Sequence, residues 1–136
     1  MSDVQTIGRS AVRPHASTIL LVEDEILISE FVARALEDLG FKVHVAASAK
    51  EALRHIESGA AVDALFTDVN LPGGMDGSEL AARVRALRPE LPIVYASGRW
   101  TPNEQAPLVP RSVFLAKPYD PRDAGNLLKR LVATPH

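Results

Sequence analysis

The sequence predicts an α/β fold: a five-stranded parallel sheet, doubly wound by helices in a (βα)5 arrangement. Two observations carry this. Short continuous apolar runs alternate five times with segments whose apolar residues recur at helical spacing. Glycines, prolines and Ser or Asp caps punctuate the joints between them. With 136 residues, 46% of them hydrophobic, the chain is long enough for one domain with its own core.

Residues 1–16 mix polar residues, glycine and proline without period, and read as a flexible N-terminal tail or a short partner-binding arm. The domain is assigned to residues 17–136. Ile19 to Val22 form an apolar run of the kind a strand buried on both faces requires. Ile28, Phe31, Val32, Ala35, Leu36 and Leu39 then make the apolar stripe of a first helix, and Gly40 is its stop. Phe41 to Ala46 is a second strand. Ser48 and Glu51 have capping-box spacing ahead of Ala49, Ala52, Leu53 and Ile56, and Gly59 closes that helix. Val62 to Thr67 is a third strand with Asp68 at its carboxyl end.

A loop over Leu71 to Gly74 follows. Asp76 and Glu79 repeat the cap spacing before Leu80, Val84 and Leu87. Ile93 to Ala96 is a fourth strand. Thr101, Pro102 and Glu104 start a helix that Pro107 and Pro110 hold to one or two turns, so the fourth helix is expected to be short or irregular. Ser112 to Ala116 is a fifth strand. Asp120 caps the last helix, Pro121 takes its first position, and Leu127, Leu128, Leu131 and Val132 are its stripe.

Composition excludes several classes. The net charge of -2 and the absence of a basic stripe argue against nucleic-acid binding. Without cysteine there is neither a disulfide framework nor a thiolate metal site. No apolar run reaches the roughly 18 residues of a spanning helix, and the N-terminus lacks the apolar core of a signal peptide. A cytoplasmic protein without membrane contact is the expectation. His15, His44, His55 and His136 show no ligand spacing and read as structural or exposed.

In open α/β sheets, sites form beyond the carboxyl ends of the strands. There the sequence places Glu23, Asp24 and Glu25 after the first strand and Asp68 at the end of the third. Ser97 and Gly98 follow the fourth, and Lys117 and Pro118 the fifth. Clustered carboxylates repel unless a cation neutralises them, and oxygen ligands of this kind suit magnesium. Lys117 adds a fixed positive charge, Ser97 a donor, and Gly98 leaves room. One aspartate among metal, ammonium and hydroxyl is a cradle for a phosphoryl group, whose transfer needs little beyond positioning and charge neutralisation.

Four segments carry a resemblance: Val22-Glu23-Asp24-Glu25; Thr67-Asp68-Val69-Asn70-Leu71-Pro72 with Met75-Asp76-Gly77; Ala96-Ser97-Gly98; and Leu115-Ala116-Lys117-Pro118. Together, in order and at strand ends, they resemble the response-regulator receiver family, CheY-like and of the stand-alone type, over about residues 18–133. The resemblance implies a flavodoxin-like strand order 2-1-3-4-5 and a role in two-component signalling. It implies that Asp68 is the phosphoacceptor, and that Glu23, Asp24, Asp68 and the backbone carbonyl of Asn70 hold Mg2+. Ser97 and Lys117 would contact the phosphoryl group, Ser97 and Phe114 would form the switch, and the Lys117–Pro118 bond would be cis. The implied partners are a histidine kinase or a histidine phosphotransfer protein, and a downstream protein.

This chain departs from the commonest family pattern. Glu23 stands where many members have aspartate, which the family also accepts. Gly73 and Gly74 lengthen the loop after Asp68. The prolines between Pro102 and Pro110 shorten a helix that normally joins the output face, which points to a monomer or weak dimer. Asn70 and Arg99 occupy positions that tune phosphoryl lifetime in the family. Trp100 reads as an exposed contact residue or a lid over nearby apolar surface. A phosphatase of the haloacid-dehalogenase type needs a second aspartate two residues after its nucleophile, and Asn70 stands there. The chain is therefore not expected to be an enzyme beyond self-phosphorylation and autodephosphorylation. The alternative is a receiver-like protein-binding domain that is never phosphorylated.

Overall fold

The computed structural model describes residues 16–98 and 109–133. Five strands, β1 (Thr18–Val22), β2 (Lys42–Ala46), β3 (Ala64–Asp68), β4 (Ile93–Ser97) and β5 (Ser112–Ala116), form one sheet. All neighbours pair in parallel, in the order β2-β1-β3-β4-β5, so the predicted fold class and strand order both hold. The described helices are α1 (Ile26–Asp38), α2 (Ala49–Glu57), α3 (Gly77–Leu87) and α4 (Pro121–Ala133). The short helix expected between β4 and β5 lies outside the described residues, as do Arg99, Trp100, His15, His136 and the N-terminal tail. No helix among the described residues is long and apolar enough to cross a membrane.

Strand periodicity splits the core in two. Ile19 and Leu21 of β1, Phe66 of β3 and Val94 of β4 point to the face covered by Val32 and Leu36 of α1 and Ala124 and Leu128 of α4. Leu20 and Val22, Leu65, Ile93 and Tyr95 point to the opposite face, under Ala52 and Ile56 of α2 and Leu80 and Val84 of α3. Each such aliphatic or aromatic side chain, fully buried, contributes about 1.5–3 kcal/mol relative to exposure.

The helix ends follow their sequence signals. After α1, Gly40 at φ +98° lets its N–H reach the Glu37 carbonyl (2.9 Å) and lets the Phe41 N–H reach that of Leu36 (3.2 Å), a Schellman turn. Phe41 is thereby spent on the turn, and β2 begins one residue later than predicted. Ser48 Oγ accepts from the Glu51 N–H (3.1 Å), while the Glu51 carboxylate accepts from the Ala47 N–H (3.2 Å). Asp76 accepts from the Glu79 N–H (2.9 Å), and Asp120 from the Arg122 N–H (2.8 Å).

Two parts of the predicted stripes are corrected. Ile28 and Phe31 of α1 are 39% and 67% exposed rather than core, and Leu87 of α3 is 51% exposed. Only Ser29, Val32 and Leu36 of α1 are buried. The stripe of α1 is wider than the strip that the sheet and α4 cover. β3 also starts two residues later than predicted and ends one later, so that Asp68 is its last residue, and β4 extends to Ser97.

Candidate functional site

The parallel topology brings the carboxyl ends of β1, β3, β4 and β5 to one rim. Glu23, Asp24 and Asp68 each present a carboxylate oxygen there, all within 4.8 Å of one another. At such separations each pair of like charges costs roughly 3 kcal/mol at a near-surface effective dielectric. Lys117 extends from the end of β5 so that its Nζ lies 2.9 Å from Asp68 Oδ1. One ammonium against three carboxylates leaves two negative charges, which is the balance a divalent cation fits. Magnesium, a hard cation that takes few carboxylates, suits this donor set.

Glu23 shows the strain most plainly. It is 7% exposed. Burial raises its carboxyl above the usual carboxylate range; Asp68 and Asp24 push it further, while the Glu25 N–H, 3.1 Å from Glu23 Oε2, and Lys117 pull it back. Asp24 does not cap α1, although aspartate often serves that role. The cap position is Glu25, which makes no side-chain cap bond.

The main chain just after Asp68 is held at both polar groups of Val69. The Val69 N–H donates to the Ala96 carbonyl (2.9 Å), and the Gly77 N–H to that of Val69 (2.8 Å). Gly77 must be glycine, because an added Cβ would fall 1.9 Å from the Asp68 carbonyl oxygen. Lys117 is anchored by its N–H on the Ser97 carbonyl (3.0 Å), and the Lys117–Pro118 bond is cis. Ser97 is 2% exposed, and its hydroxyl donates to Asn70 Oδ1 at 2.9 Å. Phe114 is partly buried against the α2/α3 side of the core. The structure thus brings Glu23, Asp24, Asp68, Asn70, Ser97 and Lys117 to one rim, with Phe114 two register positions back along β5 from the partner of Ser97.

Sequence reasoning missed Tyr119. Its ring lies 5.6 Å from that of Phe66, in a small cleft that Glu23, Asp68 and Lys117 also line. Burial, with Glu23 and Asp68 nearby, pushes its phenol up to about 12. An aromatic two residues beyond the lysine was the available signal. The other feature missed is a groove of about 410 Å³ between Ile28, Phe31 and Val32 of α1 and Lys117, Pro118 and Tyr119. Two further apolar residues at the start of α1, Ile26 (69%) and Leu27 (81%), are exposed. His44 and His55, read singly as structural or exposed, stack at 3.8 Å.

A sequence profile of the response regulator receiver domain matches residues 19–129. The sensor kinase CckA of Brucella abortus is 34% identical over 121 residues, covering 86% of this chain and 13% of that protein. The transcriptional regulatory protein TcrA of Mycobacterium tuberculosis is 37% identical over 92 residues, covering 68% of this chain and 36% of that protein. The chain therefore spans well under half the length of these relatives. A crystal structure of a response regulator receiver protein from Sinorhizobium medicae superposes with a TM-score of 0.82 at 33% identity, covering 88% of this chain and 96% of that one. By sequence and by fold alike, the chain belongs to the response regulator receiver domain family, the phosphoacceptor module of two-component signalling.

Proposed function

We propose that Asp68 is the residue that accepts the phosphoryl group, and that this chain takes it from a histidine kinase or a histidine phosphotransfer protein. The observation that carries this reading is the Lys117–Asp68 contact of 2.9 Å inside a group of three carboxylates. The Asp68 carboxylate attacks phosphorus in line as the bond from phosphorus to the donor imidazole breaks, and that bonding pair leaves with the imidazole. Lys117 offsets charge on the phosphoryl oxygens and Ser97 donates to one of them. Glu23, Asp24, Asp68 and the Asn70 backbone carbonyl would hold Mg2+, which supplies further neutralisation of those oxygens when bound. Water later hydrolyses the acyl phosphate, so the chain's own chemistry is limited to accepting and losing the group.

The groove beside Lys117 supports a protein as phosphodonor. An apolar surface adjoining the reactive carboxylate suits a partner that must bring its phosphohistidine to Asp68. Phosphorylation then alters Ser97 and Phe114, a local charge event coupled to a two-state element. The outcome is control of binding to a downstream protein, or relay or drainage of the phosphoryl group. The named relatives, a sensor kinase and a transcriptional regulatory protein, carry such a segment in proteins of different output. We place the protein in the cytoplasm as a monomer or weak dimer.

Intact-mass spectrometry after incubation with acetyl phosphate tests the reading. One added phosphoryl group that requires both magnesium and Asp68, and is absent from Asp68→Asn, is the expected result. If wild type forms neither an adduct nor a beryllofluoride complex in magnesium, the phosphoacceptor assignment fails and a binding-only receiver-like domain replaces it.

A further inference from the structure

We infer that the Asn70 side chain is a resting-state latch on Ser97, competing with the incoming phosphoryl group for a single hydroxyl proton. The inference rests on the phosphoacceptor reading of Asp68 and deepens it. A serine hydroxyl has one proton to donate. In this structure Ser97 Oγ directs it to Asn70 Oδ1, 2.9 Å away. A donor bond from Ser97 to a phosphoryl oxygen therefore requires that the bond to Asn70 be given up.

The surroundings fix the main chain of Ser97, so a response falls to its hydroxyl. The main chain of Ser97 is the last residue of β4, in register with Ala116, and its carbonyl is held by the Lys117 N–H. The side chain is 2% exposed. Asn70, by contrast, is exposed. This asymmetry makes the latch reversible. An amide released into water is hydrated at once, whereas a buried one left without a partner would carry the full desolvation penalty. The bond biases the resting state without locking it. Asn70 is a positioning residue here, acting through Ser97 and not on phosphorus.

The test is a calorimetric titration of the full chain with beryllofluoride in saturating magnesium. It compares wild type, Asn70→Ala, Ser97→Ala and the double variant, with titrant raised until each saturates. A competing neutral hydrogen bond of ordinary net worth makes Asn70→Ala bind about fivefold more tightly than wild type. In the Ser97→Ala background there is no proton to compete for, so Asn70→Ala has no effect there. That non-additivity separates a latch from a change in the loop or in the metal-facing carbonyl, which would persist without Ser97. Unchanged or weaker binding by Asn70→Ala, or an equal gain in both backgrounds, overturns the latch while leaving the phosphoacceptor reading intact. A wild type that binds no beryllofluoride overturns that reading instead, and the latch with it.

Discussion

At the amino-terminal end of the strands, Arg88 donates to the carbonyls of Ile56 and Ala60, both at 3.1 Å, and ties the end of α2 to the segment before β4. Arg85 donates to the carbonyls of Pro110 (2.8 Å), Arg88 (2.8 Å) and Arg111 (3.1 Å). Asp63 accepts from the Thr18 N–H at 2.7 Å. Charge at this end is spent on main-chain groups of the turns that join the helices to the strands. At the carboxyl-terminal end of the same strands, three carboxylates crowd within 4.8 Å and share one lysine. One rim of the sheet uses its charges to hold the fold; the other stores an unfavourable field that a cation can relieve, and only then can the rim receive an anionic phosphoryl group. Two consequences follow for mutation: substitutions at the amino end should cost stability and leave chemistry alone, and those at the carboxyl end should do the reverse.

Gly77→Ala breaks this separation and should have the largest effect. The new Cβ would drive into the Asp68 main chain, costing about 3 kcal/mol by urea denaturation and abolishing the phosphoryl adduct. Gly98→Ala meets only the Lys117 Cβ at an ordinary 3.5 Å and should change stability by no more than about 0.5 kcal/mol. An equal loss in both would mean that the carboxyl rim yields as a whole. Arg88→Ala comes next. It leaves two carbonyls without their guanidinium donor and should cost about 2 kcal/mol. The rate of phosphorylation by acetyl phosphate should stay as in wild type; a slowed rate would show the two rims to be coupled.

Glu23→Gln sharpens the contrast with the opposite sign. Removing a buried charge should stabilise the metal-free chain, by up to about 1 kcal/mol at neutral pH, and should abolish the rise in Tm that magnesium gives wild type. The folded carboxyl lies above its unfolded value, so between the two the native state binds more protons and stability falls as pH rises. Metal-free melts of wild type from pH 4 upward should show that decline, and Glu23→Gln should flatten it.

The smallest effect belongs to the stacked pair between β2 and α2. Burial first, then His44 and Arg88, lower the His55 imidazole, against a weaker opposing pull from Glu51. The unfolded state then binds the proton more readily, so stability present above the unfolded value of about 6.5 is lost as pH falls below it. Melts of His55→Gln should lack this part of the acid-side slope.

The legible part of this protein was local. Buried strands announce themselves as runs such as Ile19 to Val22, and helix ends as Ser48, Asp76, Asp120 and Gly40, because both signals depend on residues a few positions apart. The candidate site was legible for a related reason. In a parallel sheet every strand ends at the same rim, so Glu23, Asp24, Asp68, Ser97 and Lys117 meet once the alternation is known.

What the tertiary structure alone decided was non-local. Helical spacing placed Ile28, Phe31, Val32 and Leu36 on one stripe, but only α4 and the sheet determine that Val32 and Leu36 are core while Phe31 borders a groove. The turn of Tyr119 toward Asp68, the stack of His44 on His55, and the bond from Ser97 to Asn70 across 27 positions have no counterpart in periodicity. Their geometry follows from strand register and helix packing. The sequence by itself determined which groups reach the rim; three-dimensional packing determined which of them touch, because a contact depends on distances that only the closed fold defines.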